Sequence, residues 1–136
     1  MKSRFAFLCV ATFAYASAFS TVHAAEPSAV KATPLLTKSL EGIEGKEGLM
    51  LTVELPPGAE SPPHRHNANT FVYVLEGSVV MQVRGGEEKT LTVGQTFYES
   101  PSDVHTVSRN PSKTSSAKIL VVMVKPTGAP VTVPVK

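Results

Sequence analysis

Residues 58–77 read Gly58-Ala-Glu-Ser-Pro-Pro-His64-Arg-His66-Asn-Ala-Asn-Thr70-Phe-Val-Tyr-Val-Leu-Glu-Gly77, and this stretch decides the fold. Pro62 and Pro63 fix φ and restrict the residue before them, so the chain approaches His64 extended. Two histidines at i and i+2 of an extended segment project to the same face, while Arg65 between them points outward. The run from Thr70 to Leu75 is rich in β-branched and aromatic residues, and Glu76-Gly77 ends it. If Thr70, Val72 and Val74 face the interior, Phe71, Tyr73 and Leu75 face the other way. Both sets are largely apolar, which predicts a central strand covered on both faces.

Working outward, short β-rich runs alternate with turn residues and no run shows a 3.6-residue apolar period. Leu49 to Leu55 reads as a strand stopped by Pro56-Pro57-Gly58. Ser78 to Arg84 and Glu87 to Val93 read as a hairpin across Gly85-Gly86, a two-residue turn in which glycine accepts positive φ. Thr96 to Glu99, Val104 to Arg109 and Lys118 to Lys125 follow, and Val131 to Val135 reads as a further edge strand. Residues 25–40 read as a linker or edge strand. Gly42, Gly45 and Gly48 stand too close together for a stable helix there. The whole is an all-β chain, an antiparallel sandwich or barrel.

A third histidine follows the first pair at a distance, in Ser100-Pro-Ser-Asp-Val-His105. Imidazole is the commonest metal-binding side chain. Two adjacent ligands and one remote one would close a site only when the barrel folds. Three imidazoles with open positions suit a divalent transition metal such as Fe, Mn, Ni, Cu or Zn.

These residues resemble the two motifs of the cupins. The first motif is Gly, five residues, His-x-His, three or four residues, Glu, six residues, Gly. Every spacing recurs from Gly58 through His64, His66 and Thr70 to Gly77, with threonine in the glutamate slot. The second runs from Gly94 to His105 with the family's separation. Pro101 and Asn110 are each displaced by one, and the inner glycine is missing. The resemblance spans roughly residues 45–125. It implies a cupin-type jelly-roll barrel (a double-stranded β-helix) of two antiparallel sheets, a cupin domain over residues 41–136, and a metal held by His64, His66 and His105. It also implies a homodimer in which the segment Ala32 to Leu40 adds to a partner's sheet.

Thr70 departs from the family where it matters. The missing glutamate is a metal ligand and in some enzymes a proton carrier, and a neutral threonine does neither near pH 7. Asn69 beside it has the wrong strand parity for the interior. Glu99 and Tyr98 lie close to the second motif, and one of them is expected to lean into the cavity. Tyr73, Phe97 and Tyr98 read as barrel core, and Glu60, Glu76 and Asp103 as turn or surface charges.

The N-terminus has the order of an export signal: Lys2 and Arg4, an apolar run from Phe5 to Phe19, and small residues up to Ala24. The apolar run is shorter than the ~20 residues of a spanning helix. Cys9 sits too early for a lipoprotein. With residues 1–24 removed as a signal peptide, His23 and the sole cysteine leave as well. The 13 basic residues lose Lys2 and Arg4 and then equal the 11 acidic ones. A near-neutral chain has no electrostatic claim on nucleic acid or on anionic membrane. The expected protein is therefore periplasmic or secreted. Its leading reading is a metal-dependent, dioxygenase-like enzyme acting on a small organic molecule. A non-catalytic binder of a small ligand or metal is the alternative, and metal-assisted isomerase or lyase chemistry is a third.

Overall fold

A computed structural model describes residues 29–135. The expected export signal, with Cys9 and His23, lies outside these residues. Strands β1 (Lys31–Ser39), β2 (Lys46–Leu55), β9 (Ala117–Pro126), β4 (Asn69–Glu76) and β7 (Thr96–Glu99) form one antiparallel sheet in that spatial order. The second sheet is β10 (Val133–Pro134), β3 (His64–Arg65), β8 (His105–Arg109), β5 (Ser78–Val83) and β6 (Lys89–Thr92). Two five-stranded sheets face each other across one core, as the strand pattern anticipates.

Alternation places that core. Along β9, Ala117, Ile119, Val121 and Met123 are buried and their neighbours are half-buried. β2 contributes Leu49, Leu51 and Leu55, and β4 contributes Val72 and Val74. Val79, Met81 and Leu91 close the core from the second sheet. Each such side chain contributes about 1.5–3 kcal/mol by leaving water. With a single cysteine in the whole chain, packing rather than an intrachain disulfide holds the barrel.

Two residues of unusual backbone carry the chain between the sheets beside the motif. Asn67 has φ 50°, a left-handed conformation that asparagine tolerates, and it turns the chain from β3 into β4. Gly77 has φ 69° between β4 and β5, and a Cβ there would stand 2.9 Å from the Ser116 carbonyl oxygen. Only glycine fits that corner.

Three expectations need correction. The strand over Thr70 to Leu75 is covered on one face only. Thr70, Val72 and Val74 are buried, but Phe71 is 50% and Tyr73 44% exposed, because a two-layer barrel has nothing outside its sheets. Tyr73 and Tyr98 accordingly stand on the outer surface and only Phe97 packs against the core. The hairpin also differs from the predicted two-residue turn. β5–β6 pairing ends at Met81 and Lys89. Val83 instead pairs with His105 on β8, and the Arg84 amide donates to the Val104 carbonyl at 2.8 Å. The Gly86 amide donates to the Val83 carbonyl at 2.9 Å, so the tight turn falls on Val83–Gly86, and Glu87 and Glu88 lengthen the connection to β6.

Candidate metal centre

The register of the second sheet brings the three histidines together. His64 on β3 pairs directly with His105 on β8, and His66 follows β3 immediately. One ring nitrogen from each of the three lies within 4.8 Å of the others. The ring centroids of His64 stand 4.8 Å from those of His66 and 5.1 Å from those of His105. His66 and His105 are buried and His64 is half-buried.

Backbone carbonyls orient two of the rings. His64 Nδ1 lies 2.8 Å from the Pro62 carbonyl and His66 Nδ1 2.6 Å from the Val131 carbonyl. A carbonyl oxygen only accepts, so in each neutral ring the proton sits on Nδ1 and the Nε2 lone pair is left for another partner. The Val131 contact depends on the C-terminal segment: β10 pairs with β3 (Val133 with Arg65, Pro134 with His64) and carries Val131 over His66. Nothing in the motif announces Val131. The β-rich tail was legible only as an edge strand.

Glu99 takes the interior position that sequence reasoning divided between Glu99 and Tyr98. The register Thr70–Glu99, Phe71–Tyr98 and Val72–Phe97 puts Glu99 and Phe97 on the inner face and Tyr98 outside. There the Tyr98 hydroxyl donates to Asn69 Oδ1 at 2.7 Å. The signal for this existed, since Phe97 and Glu99 share strand parity. Glu99 is 2% exposed, and its Oε2 lies 3.4 Å from His105 Nδ1 and 3.7 Å from His66 Nε2. Burial first, and Asp103 second, push the Glu99 carboxyl up to about 7. Burial likewise lowers His105 to about 4, helped by His64 and His66. His66 is lowered by burial and by His64, against the Val131 hydrogen bond. Burial thus favours the neutral form of His66 and His105, and neutral imidazole is the form that binds metal.

Three buried polar atoms lack a partner among the described residues: Thr70 Oγ1, Glu99 Oε2 and His105 Nε2. Each such orphan costs about 1–3 kcal/mol. All three belong to residues of one cavity, which is lined also by His64 and His66. Orphaned donors and acceptors around three imidazoles fit a divalent cation, and the residues present suit a metal. The cavity, of about 310 Å³, is at the small end of the ~300–1,000 Å³ typical of ligand sites. Its walls are apolar, including Val53, Val72, Met81 and Val121.

The remaining motif residues serve the fold. Asn110 is 2% exposed, and its Nδ2 donates to the carbonyls of Leu55, Pro56 and Ser115, which ties β8 to two loops. Asp103 Oδ2 accepts from the Ser100 amide at 2.7 Å and shapes the turn before His105. Arg65, Glu60 and Glu76 are exposed, as expected.

Comparison with known proteins follows the same lines. The family model of the cupin domain matches residues 51–123. No curated protein matches the chain in sequence. Among solved structures, the DMSP lyase DddQ from Ruegeria pomeroyi DSS-3 is similar at TM-score 0.62 and 18% identity, over 78% of this chain and 51% of the lyase. An oxalate oxidase in complex with the substrate analogue glycolate gives 0.62 and 23%, over 82% of this chain and 57% of the oxidase. The cupin domain of an XRE family transcriptional regulator from Enterobacter cloacae gives 0.54 and 26%, over 71% of this chain and 96% of that domain. The chain thus spans only about half the length of the lyase and the oxidase, and both likenesses lie in the fold. With its two facing sheets, its clustered histidines and a family match over more than half its length, the chain belongs to the cupin family.

Proposed function

We propose that this protein is an exported, metal-dependent cupin enzyme of the dioxygenase-like kind, acting on a small and largely apolar organic molecule. One observation carries the reading: three imidazoles and an unpaired buried carboxyl converge on one cavity whose other walls are mostly apolar. His64, His66 and His105 would hold the ion. A bound divalent metal would supply Lewis-acid polarisation and, for iron, manganese or copper, a redox centre.

The chain's own residues set the rest. The Pro62 and Val131 carbonyls hold two imidazoles in the tautomer that leaves Nε2 free. The apolar walls exclude water and select for shape. No lysine or arginine lines the cavity among the described residues, so an anionic group on a substrate would find its counter-charge only at the metal. Among the described residues Glu99 is the one acidic side chain in the lining and the place where a proton could be held next to a bound molecule. The test is to load purified protein with iron, manganese, nickel, copper or zinc. Oxygen uptake is then followed with diketones, phenolics and thiols. Consumption of substrate with oxygen, abolished in His105→Ala, is the expected result; turnover without oxygen points to a lyase or isomerase.

The shortage of polar groups in the cavity favours a second reading, a non-catalytic binder of a small ligand or metal. Saturable binding of the same compounds without their consumption would establish it.

Export rests on the N-terminal pattern, and N-terminal sequencing of the native protein is expected to begin at Ala25. A homodimer rests on β1, which bonds to β2 alone and exposes Leu35 (57%) and Leu36 (53%). Sedimentation of the wild type against Leu35→Asp/Leu36→Asp tests it.

A further inference from the structure

The first cupin motif of this chain lacks its glutamate, yet the cavity does not lack a carboxylate. Thr70, in the glutamate slot, pairs in register with Glu99 across β4 and β7. Directly opposed residues on one face of an antiparallel pair have Cβ atoms about 5 Å apart. The carboxylate has therefore moved one strand sideways along the same inner wall. It has not left the site.

We propose that Glu99 is a fourth ligand of the metal, supplied from β7 in place of the motif glutamate; the inference rests on the three-histidine site proposed above. Three observations carry it. Glu99 Oε2 is buried without a hydrogen-bond partner among the described residues. Two ring nitrogens, His105 Nδ1 and His66 Nε2, stand 3.4 and 3.7 Å from it. Two donors each ~2.1 Å from one tetrahedral ion stand roughly 3.4 Å apart, so these separations suit atoms sharing a cation, with His105 ligating through Nδ1 and His66 through Nε2, better than atoms bonded to each other. And among the described residues no lysine or arginine lines the cavity to neutralise the group.

A role confined to orienting His105 is the competing account, because Glu99 Oε2 also faces His105 Nδ1. Glutamine separates the two. Its amide oxygen still accepts a hydrogen bond from a ring N–H, but it is a poor replacement for an anionic ligand. The experiment measures cobalt(II) and zinc(II) affinity and the visible spectrum of the cobalt form in wild type, Glu99→Gln, Glu99→Ala and His105→Ala, with a thermal melt of each. A fourth-ligand Glu99 predicts that Gln and Ala lose affinity alike, by at least tenfold, and that the cobalt spectrum changes in both. The exchange Thr70→Glu/Glu99→Thr should return affinity to within about threefold of wild type, and it answers the question even if Glu99→Gln folds poorly. Wild-type affinity and spectrum in Glu99→Gln, with loss only in Glu99→Ala, would overturn the ligand role and leave the three-histidine site standing. A wild-type protein that binds neither metal overturns the site itself, and Glu99 with it.

Discussion

Among the described residues the barrel buries two carboxylates and treats them in opposite ways. Glu47 on β2 is 8% exposed and pairs in register with Lys125 on β9, itself 4% exposed. Lys125 Nζ donates to Glu47 and to the Ala129 carbonyl, so donor and acceptor are both satisfied. The hydrogen bond and charge of Lys125 hold the Glu47 carboxyl below its usual range, against burial. Glu99 pairs in register with Thr70, which carries no charge, and its neighbours are imidazoles that burial keeps neutral. Its carboxyl is pushed up to about 7. The same sheet thus balances one buried carboxyl with a lysine and sets the other opposite an uncharged threonine. A structural ion pair and a candidate ligand differ here only in what sits opposite.

The comparison breaks first at the histidines. His105→Ala should abolish stoichiometric metal binding, a loss of more than about 100-fold, while the melting temperature of the metal-free protein stays within a few degrees. Metal analysis after dialysis checks this, and a fully loaded variant would remove His105 from the site.

Next in size is the pH dependence of the metal-free protein. Because the Glu99 pKa is raised in the fold, its protonated form stabilises the barrel below the ordinary carboxylate range, and that stability is lost as pH rises through about 7. Wild type should lose on the order of 3 kcal/mol between pH 5 and pH 8 relative to Glu99→Gln. His105, lowered to about 4, acts in the opposite direction as pH falls below about 6.5. Since both proteins carry it, the difference between them isolates Glu99. Urea unfolding with chelator at the two pH values measures this, and parallel profiles would show that Glu99 ionises freely.

Lys125→Met tests the other carboxylate. It strands Glu47 and should lower the melting temperature by roughly 5 °C at pH 7, with metal affinity unchanged. Glu47 is lowered, so its pairing contributes above the ordinary carboxylate range and fades as pH falls; the deficit of the variant should shrink in acid. Adding Glu47→Gln should restore most of the loss, and failure to do so would mean that Lys125 acts by packing alone. The smallest effect belongs to Tyr98→Phe. It removes the outer hydrogen bond to Asn69 and should change stability by no more than about 0.5 kcal/mol. A change in metal affinity there would contradict the inward–outward division between Glu99 and Tyr98.

Much of this was legible in the chain itself. The His-x-His spacing, the remote His105 and the alternation of Thr70, Val72 and Val74 are local patterns, and period-2 geometry turns them directly into faces of strands. The strands over Thr96–Glu99 and around Leu49 and Lys118 also followed from composition and turn residues. What local pattern could not supply was coverage. Phe71 and Tyr73 look like core by residue type, and only the absence of a third layer leaves them exposed.

The sequence by itself determined the donors: three imidazoles at motif spacing, and a threonine where the carboxylate should be. Tertiary structure alone decided that Glu99 stands opposite that threonine on the inner face, that the Val131 carbonyl fixes His66, and that Lys125 neutralises Glu47. Each is a pairing between segments distant along the chain, set by strand register. Register is a property of two strands together, fixed by which faces they bury in common.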